Sequence, residues 1–540
     1  MATFREDVRC RIAIFTMQPT RIFVFLLTAA AAIGVALAQS RDCGPRVRRP
    51  YHSLTTAERT LLKNAFELAM QRGHHHRFTT VHQYSKNEYE AHSCMFTYWH
   101  RRFLLGYENM LRSLGDAYAC LTIPYWDYAG TSSSFLDKNN TCNSLASCNP
   151  VLVEYGASRQ VNASRYSVGG SGQPNDAGEP IDADNCIVDP TQPATRSYCE
   201  SEAAFQAGKC QGCIPRGNWF AAGVSSEMTL ASMSNQIFAT SLSKFTQNVM
   251  LKMHPKVHAN LNGAMGSMAS PSDPVFFFHH ATVDALLAIY MKCQASNASP
   301  MSSLVFPAND WGTFNNRVCG PYVFRPTTSA KKFKYPSATA ISMVYYNGTT
   351  GDASFDVGDT NSPLAPFFQD LPPSYTAYYN YPPSARVVYD FSNTGFQVLN
   401  DQCTAWLGGD YGASSSSSSA LLDERRHRPQ KETKGPPTAV VTQIAFTQKL
   451  YKHTRRYVRN ETRARDYVEM MLCVHRNECL GGVFDYSDAF KASFRFDYSP
   501  YCYDVLHAIA SGDKTIPVPK WTQIVLDTYG CHVQSTSSLI

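Results

Sequence analysis

The stretch 273–287, "DPVFFFHHATVDALL", decides how the rest of the sequence is interpreted. A run of apolar residues stops at two adjacent histidines, His279 and His280, and a helical pattern resumes through "ATVDALLAIYMK". Apolar residues at three- and four-residue intervals predict a helix there. The two histidines raise the question of what a pair of imidazoles does at the start of an apolar helix.

Three further segments show the same helical spacing. The first begins near Thr55 or Thr56, which forms a capping box with Glu58, and Gly73 stops it. The second covers "FTYWHRRFLLGYENMLRSLG", and the third lies near 254–261. Beyond about residue 303, short alternating runs such as "ARVVYDFS" predict a few short strands and long loops. The sequence therefore predicts a mainly α-helical fold.

Six histidines are spaced as candidate metal ligands. His254 and His258 stand one helical turn apart, which puts both imidazoles on one side of a helix, and His280 follows on the next helix. Upstream, three more lie within about twenty residues of one another: His82, His92 and His100. Two histidine triads without cysteine suit metals that prefer imidazole, such as copper, zinc or iron.

Four motifs resemble the tyrosinase and catechol oxidase family of type-3 copper proteins, which is related to molluscan haemocyanin. They are "FTYWHRRFLLGYE" (96–108), "IPYWDY" (123–128), "HPKVH" (254–258) and "DPVFFFHHATVD" (273–284). The resemblance covers roughly 48–292 and extends more loosely to about 409. It implies a four-helix bundle that holds two copper ions and binds dioxygen.

The same resemblance implies a role for each histidine. It assigns His82, His92 and His100 to the first copper, and His254, His258 and His280 to the second, with His279 as a neighbour. Asp284, one turn beyond His280, is a candidate to orient an imidazole; the alternative is a solvent-facing acid. Two departures concern His92: the loop to Phe96 is one residue shorter than usual, and Glu90 stands where some relatives have a cysteine bonded to this histidine.

Pro255 is the third departure and a candidate substrate gate. It stands where monophenol-hydroxylating relatives often have an Asn that, with an upstream Glu, holds a water. No acidic residue occurs from Thr229 to Met253. The sequence therefore favours oxidation of ortho-diphenols and leaves hydroxylation of monophenols open. Because proline suits the first turn of a helix, we also predict that the helix begins at Pro255.

Three consecutive histidines, His74 to His76, precede the first triad. Adjacent side chains diverge on any regular element, so all three cannot join one metal centre. A solvated turn is the expected structure, with a transient copper-loading site as the alternative.

The N-terminus has the form of a secretory signal peptide. An apolar run after Arg21 ends in Ala36-Leu37-Ala38, which predicts a leader at 1–38. Sixteen of the seventeen cysteines follow it, an even number that suits disulfides in an oxidising compartment. Five N-glycosylation sequons agree with secretion: Asn139, Asn162, Asn297, Asn347 and Asn460. We expect an extracellular protein without a membrane anchor, and the mild charge of +6 argues against a nucleic-acid partner.

Composition divides the remaining chain into three parts. The predicted dicopper domain is 39–411, with a cysteine-rich insert at 131–219 that reads as an excursion from the core. Residues 412–437 combine a serine tract, clustered charges and proline, which predicts a flexible linker open to a processing protease. Residues 438–540 are predicted to be a separate C-terminal domain. It either plugs the site with an aromatic from "FRFDYSPYCYD" (494–504), as in latent relatives, or is a passive binding module or folding aid.

The predicted function is a secreted copper oxidoreductase. It would use dioxygen to oxidise ortho-diphenols to ortho-quinones that feed melanin formation or protein cross-linking. Two alternatives stay open. One is a dioxygen carrier of the haemocyanin type, although such carriers usually show repeated units and this chain has no internal repeat. The other is an inactive extracellular matrix protein that retains the fold.

Overall fold

A computed structural model describes residues 43–84, 86–92, 95–137, 141–157, 167–168, 179–180, 185–187, 197–199, 202–210, 212–239, 241–297, 313–314, 317–318, 341–346, 354–379, 387–403, 437–494 and 496–533. Contacts divide the chain into Met1–Gly44 and Pro45–Ile540, and the description below concerns the second unit. The predicted leader, linker residues 412–436 and the sequons at Asn139, Asn162 and Asn347 lie outside the described residues.

Helices dominate the described residues, as predicted. Before the linker they are α1 (Thr56–Gln71), α2 (His74–Gln83), α3 (Glu88–Ala91), α4 (Phe96–Arg112), α5 (Tyr128–Leu136), α6 (Pro150–Glu154), α7 (Glu202–Gln206), α8 (Leu230–Ile237), α9 (Leu242–Leu251), α10 (Met253–Leu261), α11 (Val275–Asn297), α12 (Ala365–Phe368), α13 (Thr376–Tyr379) and α14 (Gly395–Gln402). After it they are α15 (Thr438–Arg455), α16 (Glu461–Cys479), α17 (Asp488–Ser493), α18 (Tyr501–Ala510) and α19 (Trp521–Tyr529).

The described strands are short and form five two-stranded pairs. They are β1 (Arg46–Arg48), β2 (Ser167–Val168), β3 (Glu179–Pro180), β4 (Asn185–Ile187), β5 (Ile214–Arg216), β6 (Thr313–Phe314), β7 (Arg317–Val318), β8 (Val344–Tyr346), β9 (Ser354–Asp356) and β10 (Val387–Tyr389). Strands β1 and β10 pair in parallel, with Arg48 opposite Tyr389, and the other pairs are antiparallel. The parallel pair fastens residues near 47 to residues near 388.

Helix α1 shows how local sequence sets the element boundaries. The Thr55 hydroxyl accepts from the Glu58 amide and the Glu58 carboxylate accepts from the Thr55 amide, so the predicted capping box is present. Gly73 follows the helix with a φ of 75°, and a Cβ there would lie 2.5 Å from the Phe205 ring. Because glycine adopts this conformation without strain, the chain turns at once into α2.

Helices α4 and α11 pack against each other and form the centre of the molecule. Both are buried over most of their length, and their aromatic rings interlock. The rings of Tyr107 and Phe277 stack with centroids 3.5 Å apart, and those of Phe103 and Phe277 stack at 6.3 Å. Gly106 lets the Phe368 ring approach α4, since a Cβ there would lie 2.1 Å from that ring. This packing fixes the two helices that carry His100 and His280.

A buried network of charges ties α4 and α11 to the β1–β10 pair. Arg48 donates to Glu108 at 3.1 Å and to Asp284 at 3.0 Å. Asp284 also accepts from Tyr389 at 2.5 Å and pairs with Arg101. The four charged side chains, Arg48, Arg101, Glu108 and Asp284, are buried, so each charge depends on its partners for stabilisation.

The insert at 131–219 is partly core, which corrects the prediction of an excursion. Leu152, Tyr155 and Trp219 lie fully or almost fully buried in the main hydrophobic core, because α6 brings its apolar residues against it. Disulfides do staple this region, at Cys142–Cys148 and Cys199–Cys210. Further bridges join Cys293 to Cys403, Cys473 to Cys502 and Cys479 to Cys531.

The C-terminal segment, residues 437–533, packs into the same compact unit as the preceding helices. Helix α15 contacts α5, and Val440, Ile444 and Val474 belong to the main hydrophobic core. The apolar faces of α15 and α16 are covered by the rest of the protein, so this segment shares one hydrophobic core with the preceding helices. Within the described residues, no helix has the length and hydropathy needed to cross a membrane.

Candidate metal centre

The first histidine triad is assembled from three neighbouring elements. His82 lies in the last turn of α2, His92 in the turn after α3, and His100 in the second turn of α4. Ring centroids are separated by 5.3 Å for His82 and His92, 5.5 Å for His82 and His100, and 6.1 Å for His92 and His100. The three predicted residues thus converge, although the loop to Phe96 is short.

The second triad is tighter than the first. His254 and His258 project from α10 with ring centroids 4.6 Å apart, and His280 of α11 lies 5.1 Å and 5.7 Å from them. The Nε2 atoms of His254 and His258 are 3.1 Å apart. Two imidazole nitrogens bound at about 2.0 Å to one tetrahedral ion would be about 3.3 Å apart. The pair is therefore spaced as two ligands of a single metal.

The two triads adjoin each other in the interior. The rings of His100 and His280 stack with centroids 4.1 Å apart and planes 10° apart. Phe276 packs at 4.1 Å from His280, and Phe96 packs at 4.5 Å from His254. Apolar rings therefore surround the histidines and keep bulk water away from them.

Backbone carbonyls orient three of the imidazoles. The Nδ1–H groups of His82, His100 and His258 donate to the carbonyls of Met268 (2.7 Å), Phe96 (2.9 Å) and Met265 (2.6 Å), respectively. A carbonyl only accepts, so Nδ1 carries the proton in each ring and Nε2 keeps its lone pair. This is the tautomer in which Nε2 can bind a metal.

Burial also fixes the protonation state of these imidazoles. Loss of hydration lowers the pKa of His82 to about 4 and that of His258 to about 3. Burial, followed by the proximity of the other histidines, holds the pKa of His100, His254 and His280 well below the ordinary value. At neutral pH these rings are uncharged, as metal ligands must be.

Unpartnered nitrogens mark the position that a metal would fill. The Nε2 atom of His100 and both ring nitrogens of His280 are buried without a hydrogen-bond partner among the described residues. Buried polar atoms without partners are rare and costly, so they call for a ligand. A donor set of neutral imidazoles with no carboxylate fits copper. The residues present therefore fit the two copper ions that the motifs imply.

His279 lies nearer to the second triad than the sequence suggested. One ring nitrogen from each of His254, His258, His279 and His280 can be chosen so that all four lie within 4.8 Å of one another. The His279 ring stacks on that of His254 at 5.3 Å and lies 4.7 Å from that of His258. Its Nδ1 is hydrogen-bonded to the Tyr128 hydroxyl. No sequence signal marked Tyr128 for this contact, because its partner lies 151 residues away.

Two predictions beside the ligands need correction. Asp284 accepts from Arg48, Arg101 and Tyr389, and no hydrogen bond from it to an imidazole is seen among the described residues, because the arginines occupy its oxygens. It is buried, so the solvent-facing alternative is wrong as well. Helix α10 begins at Met253, two residues before the buried Pro255. The proline is tolerated there because amides in the first turn need no helical partner.

The histidine run at 74–76 is wrongly predicted as a solvated turn. These residues begin α2, and His75 and His76 are buried. His75 bonds Tyr107 at 2.6 Å through Nδ1 and the Ser272 carbonyl at 2.9 Å through Nε2. With both nitrogens occupied, His75 is a structural residue of the core.

An aromatic ring of the C-terminal segment covers the histidines. Phe494, which follows α17, lies with its ring centroid 5.4 Å from that of His258 and 6.3 Å from that of His92. It belongs to a satellite apolar cluster with Tyr486, Phe490 and Phe496. The stretch 494–504 that the sequence marked as a source of a plug therefore starts at the ring that contacts the site.

A helical fold with two adjoining histidine triads is the arrangement expected of a protein that binds two metal ions through imidazoles. Comparison with known proteins narrows that class. The family model described as the common central domain of tyrosinase matches residues 72–293, which include all six predicted ligands. Residues 72–293 of this chain therefore match the central domain shared by the tyrosinase family.

Individual relatives are distant. A putative tyrosinase-like protein (tyr-3) of Caenorhabditis elegans is 25% identical over 278 residues, which cover 51% of this chain and 35% of the relative. Tyrosinase of Streptomyces antibioticus is 25% identical over 270 residues, covering 46% of this chain and 85% of the relative. The chain thus spans about a third of the nematode protein and most of the bacterial one.

Two solved structures are also similar. A polyphenol oxidase from Thermothelomyces thermophila is 17% identical with a TM-score of 0.32, covering 50% of this chain and 77% of that one. A functional unit of octopus hemocyanin is 16% identical with a TM-score of 0.30, covering 50% and 56%.

Proposed function

We propose that this protein is a secreted copper oxidoreductase that oxidises ortho-diphenols with dioxygen to ortho-quinones. The observation that carries the proposal is the pair of adjoining histidine triads, in which the rings of His100 and His280 stack with centroids 4.1 Å apart. The quinones would feed melanin formation or cross-link proteins. The leader-like sequence at 1–38 and the disulfides support secretion.

The residues that would hold the metal are those of the two triads. His82, His92 and His100 would hold one copper, and His254, His258 and His280 the other. Copper bound in pairs by imidazole supplies the change of oxidation state needed to take two electrons from a diphenol and pass them to dioxygen. The protein orients the imidazoles through the Met268, Phe96 and Met265 carbonyls and excludes water with Phe96 and Phe276.

Pro255 supports a preference for diphenols over monophenols. It stands beside His254, where a water-holding Asn would be expected in hydroxylating relatives, and no acid occurs between Thr229 and Met253. The nearest upstream acid, Glu227, accepts hydrogen bonds from Ser225 and Ser226 instead. A monophenol has to lose its proton to bind, so its hydroxylation lacks a base here.

The C-terminal segment is proposed to keep the enzyme latent. Phe494 occupies space above His258 and His92, where a phenol ring would enter. The segment is held by Lys252–Glu469 at 3.5 Å and by Lys256, which donates to the Phe484 carbonyl at 3.2 Å. Cleavage in the linker would then allow release, with the domain boundaries at 39–411 and 438–540.

The same observation favours one alternative function. A dioxygen carrier of the haemocyanin type needs a site that admits dioxygen and excludes phenols, and a permanently seated Phe494 would do this. An inactive extracellular matrix protein that retains the fold is the third alternative, and a metal analysis with far fewer than two coppers per chain would favour it.

Oxygen uptake by the copper-loaded protein separates these functions. Intact protein and protein cut in the linker are each given a monophenol and its matching ortho-diphenol. We expect oxygen uptake with the diphenol, at a higher rate in the cut protein than in the intact protein. Equal rates before and after cutting would refute latency, and uptake with both phenols would refute the role given to Pro255. No uptake in the presence of bound copper would favour the carrier.

A further inference from the structure

Tyr128 and His279 form a buried hydrogen bond next to the second triad. The Tyr128 hydroxyl meets Nδ1 of His279, and both residues are fully buried. The other nitrogen of His279, Nε2, has no hydrogen-bond partner among the described residues, although the ring lies in the four-histidine cluster. His279 is therefore positioned to bind a metal, and something must decide whether it does.

The direction of this hydrogen bond decides the tautomer of His279. If the hydroxyl donates to Nδ1, the ring proton resides on Nε2, and Nε2 has no lone pair for a metal. If the hydroxyl accepts instead, its own proton needs another acceptor, and none is seen among the described residues. A buried hydroxyl proton without an acceptor costs about 1–3 kcal/mol. Donation leaves one group unpartnered among the described residues, the Nε2–H of His279, whereas acceptance leaves two, the hydroxyl proton and the Nε2 lone pair. Donation by Tyr128 is therefore the favoured arrangement.

The backbone around Tyr128 is tied to the helix that carries His279. The Trp126 amide donates to the Thr282 hydroxyl at 3.0 Å, and that hydroxyl donates to the Trp126 carbonyl at 2.7 Å. The Trp126 ring packs edge-on against that of Tyr128 at 5.0 Å. Tyr128 is the first residue of α5, whose cap is Asp127. These contacts hold the tyrosine over α11, so the hydroxyl keeps its place beside His279.

We propose that Tyr128 selects the ligands of the second metal site. By donating to Nδ1 it holds His279 as the Nε2–H tautomer, which leaves His254, His258 and His280 as the three imidazole ligands. This inference rests on the proposed copper function. Tyr128 is a positioning residue: it acts on the metal only through the ring of His279.

Replacing Tyr128 by Phe removes the hydroxyl and keeps the ring. The two tautomers of His279 are then no longer distinguished by this hydrogen bond, and metal binding favours the one that presents a lone pair at Nε2. His279 becomes a fourth imidazole at the second site. The double variant Tyr128→Phe/His279→Gln lacks that imidazole and should return to three.

The test counts imidazoles on a single Cu(II) ion by pulsed electron paramagnetic resonance. A His82→Gln/His100→Gln background removes the first site, and copper bound per chain is measured first. We expect three imidazoles in this background, four after Tyr128→Phe, and three in the further His279→Gln combination. His279→Gln without the tyrosine change should also keep three, which tests the assignment even where Tyr128→Phe impairs folding.

The outcomes separate this inference from the proposed function. Absence of bound copper in the background chain, together with none in the unaltered chain, would refute the copper function itself. Bound copper with four imidazoles before any change at Tyr128, or with three after Tyr128→Phe, would overturn ligand selection and leave the copper function standing.

Discussion

At the scale of single residues, the unpartnered histidine nitrogens lower the stability of the folded protein. The Nε2 atom of His100 and both nitrogens of His280 are buried without partners among the described residues. Each unsatisfied buried group costs about 1–3 kcal/mol. A bound metal would offset this cost, because a ligand that binds only the folded state stabilises that state. These unpartnered nitrogens therefore support the proposal that the histidines bind a metal.

Phe494 gives a prediction that separates blocking from simple packing. Phe494→Ala should raise the rate of diphenol oxidation by the intact, copper-loaded chain roughly tenfold. A loss of about 1.4 kcal/mol of packing energy raises tenfold the fraction of molecules in which the site is accessible. Phe496→Ala is the matched control: it removes a ring from the same cluster, but its ring contacts are Tyr486, Phe490 and Tyr498. The oxygen-uptake rates of the two variants are compared with that of the unaltered chain. Equal effects of the two substitutions would contradict a blocking role for Phe494.

His75 predicts how stability depends on pH. Burial lowers its pKa from 6.5 to about 4, so between these values the unfolded chain takes up a proton that the folded chain does not. Stability is thus unaffected by this group above pH 6.5 and falls as the pH drops from 6.5 to 4, by roughly 3 kcal/mol. His75→Gln should flatten that part of the profile in urea unfolding of the metal-free protein.

The exposed residue His532 supplies the control for this experiment. His532→Gln should leave the slope between pH 6.5 and 4 as it is in the unaltered chain. An equally steep profile in the His75→Gln protein would show that His75 is not a source of the acid sensitivity.

At the scale of elements, helical periodicity predicted α1, α4, α10 and α11 correctly. The residues at which the helices begin were predicted less well. Pro255 suggested a start, but the first turn accepts proline at its third residue, and α10 begins at Met253. The prediction of a solvated turn at 74–76 was wrong for another reason. Gly73 allows α2 to begin immediately after α1, and His75 is buried against Tyr107 and Ser272, which are distant in sequence.

Asp284 gives a prediction about how elements are joined. Asp284→Asn would leave Arg48 and Arg101 facing a neutral amide in the interior, between α4, α11 and the β1–β10 pair. Removing one partner of a buried ion pair costs about 3–5 kcal/mol, and chemical unfolding measures it. Asp527→Asn is the control, because Asp527 and Lys449 form a half-exposed pair whose loss should change stability little. Similar losses in both variants would contradict the network.

At the scale of the whole molecule, the motifs predicted the site better than they predicted its surroundings. Four of the six predicted ligands lie in quoted motifs, and the fold brings all six histidines close together. The packing of the C-terminal segment against the rest of the protein could not be predicted from the sequence. Contacts such as Lys256 to Phe484 and Leu230 to Gln443 join residues more than two hundred positions apart. No local pattern encodes such pairings, which arise from the shapes of whole apolar faces.

The most direct test of the account is the amount of copper that each chain binds. Metal analysis of the reconstituted protein should give two coppers per chain, one after His100→Gln and one after His280→Gln, because each change removes a ligand from a different triad. His532→Gln should keep two. Fewer than one copper in the unaltered chain, or a full complement of two after both ligand substitutions, would contradict a dicopper centre built from these six histidines.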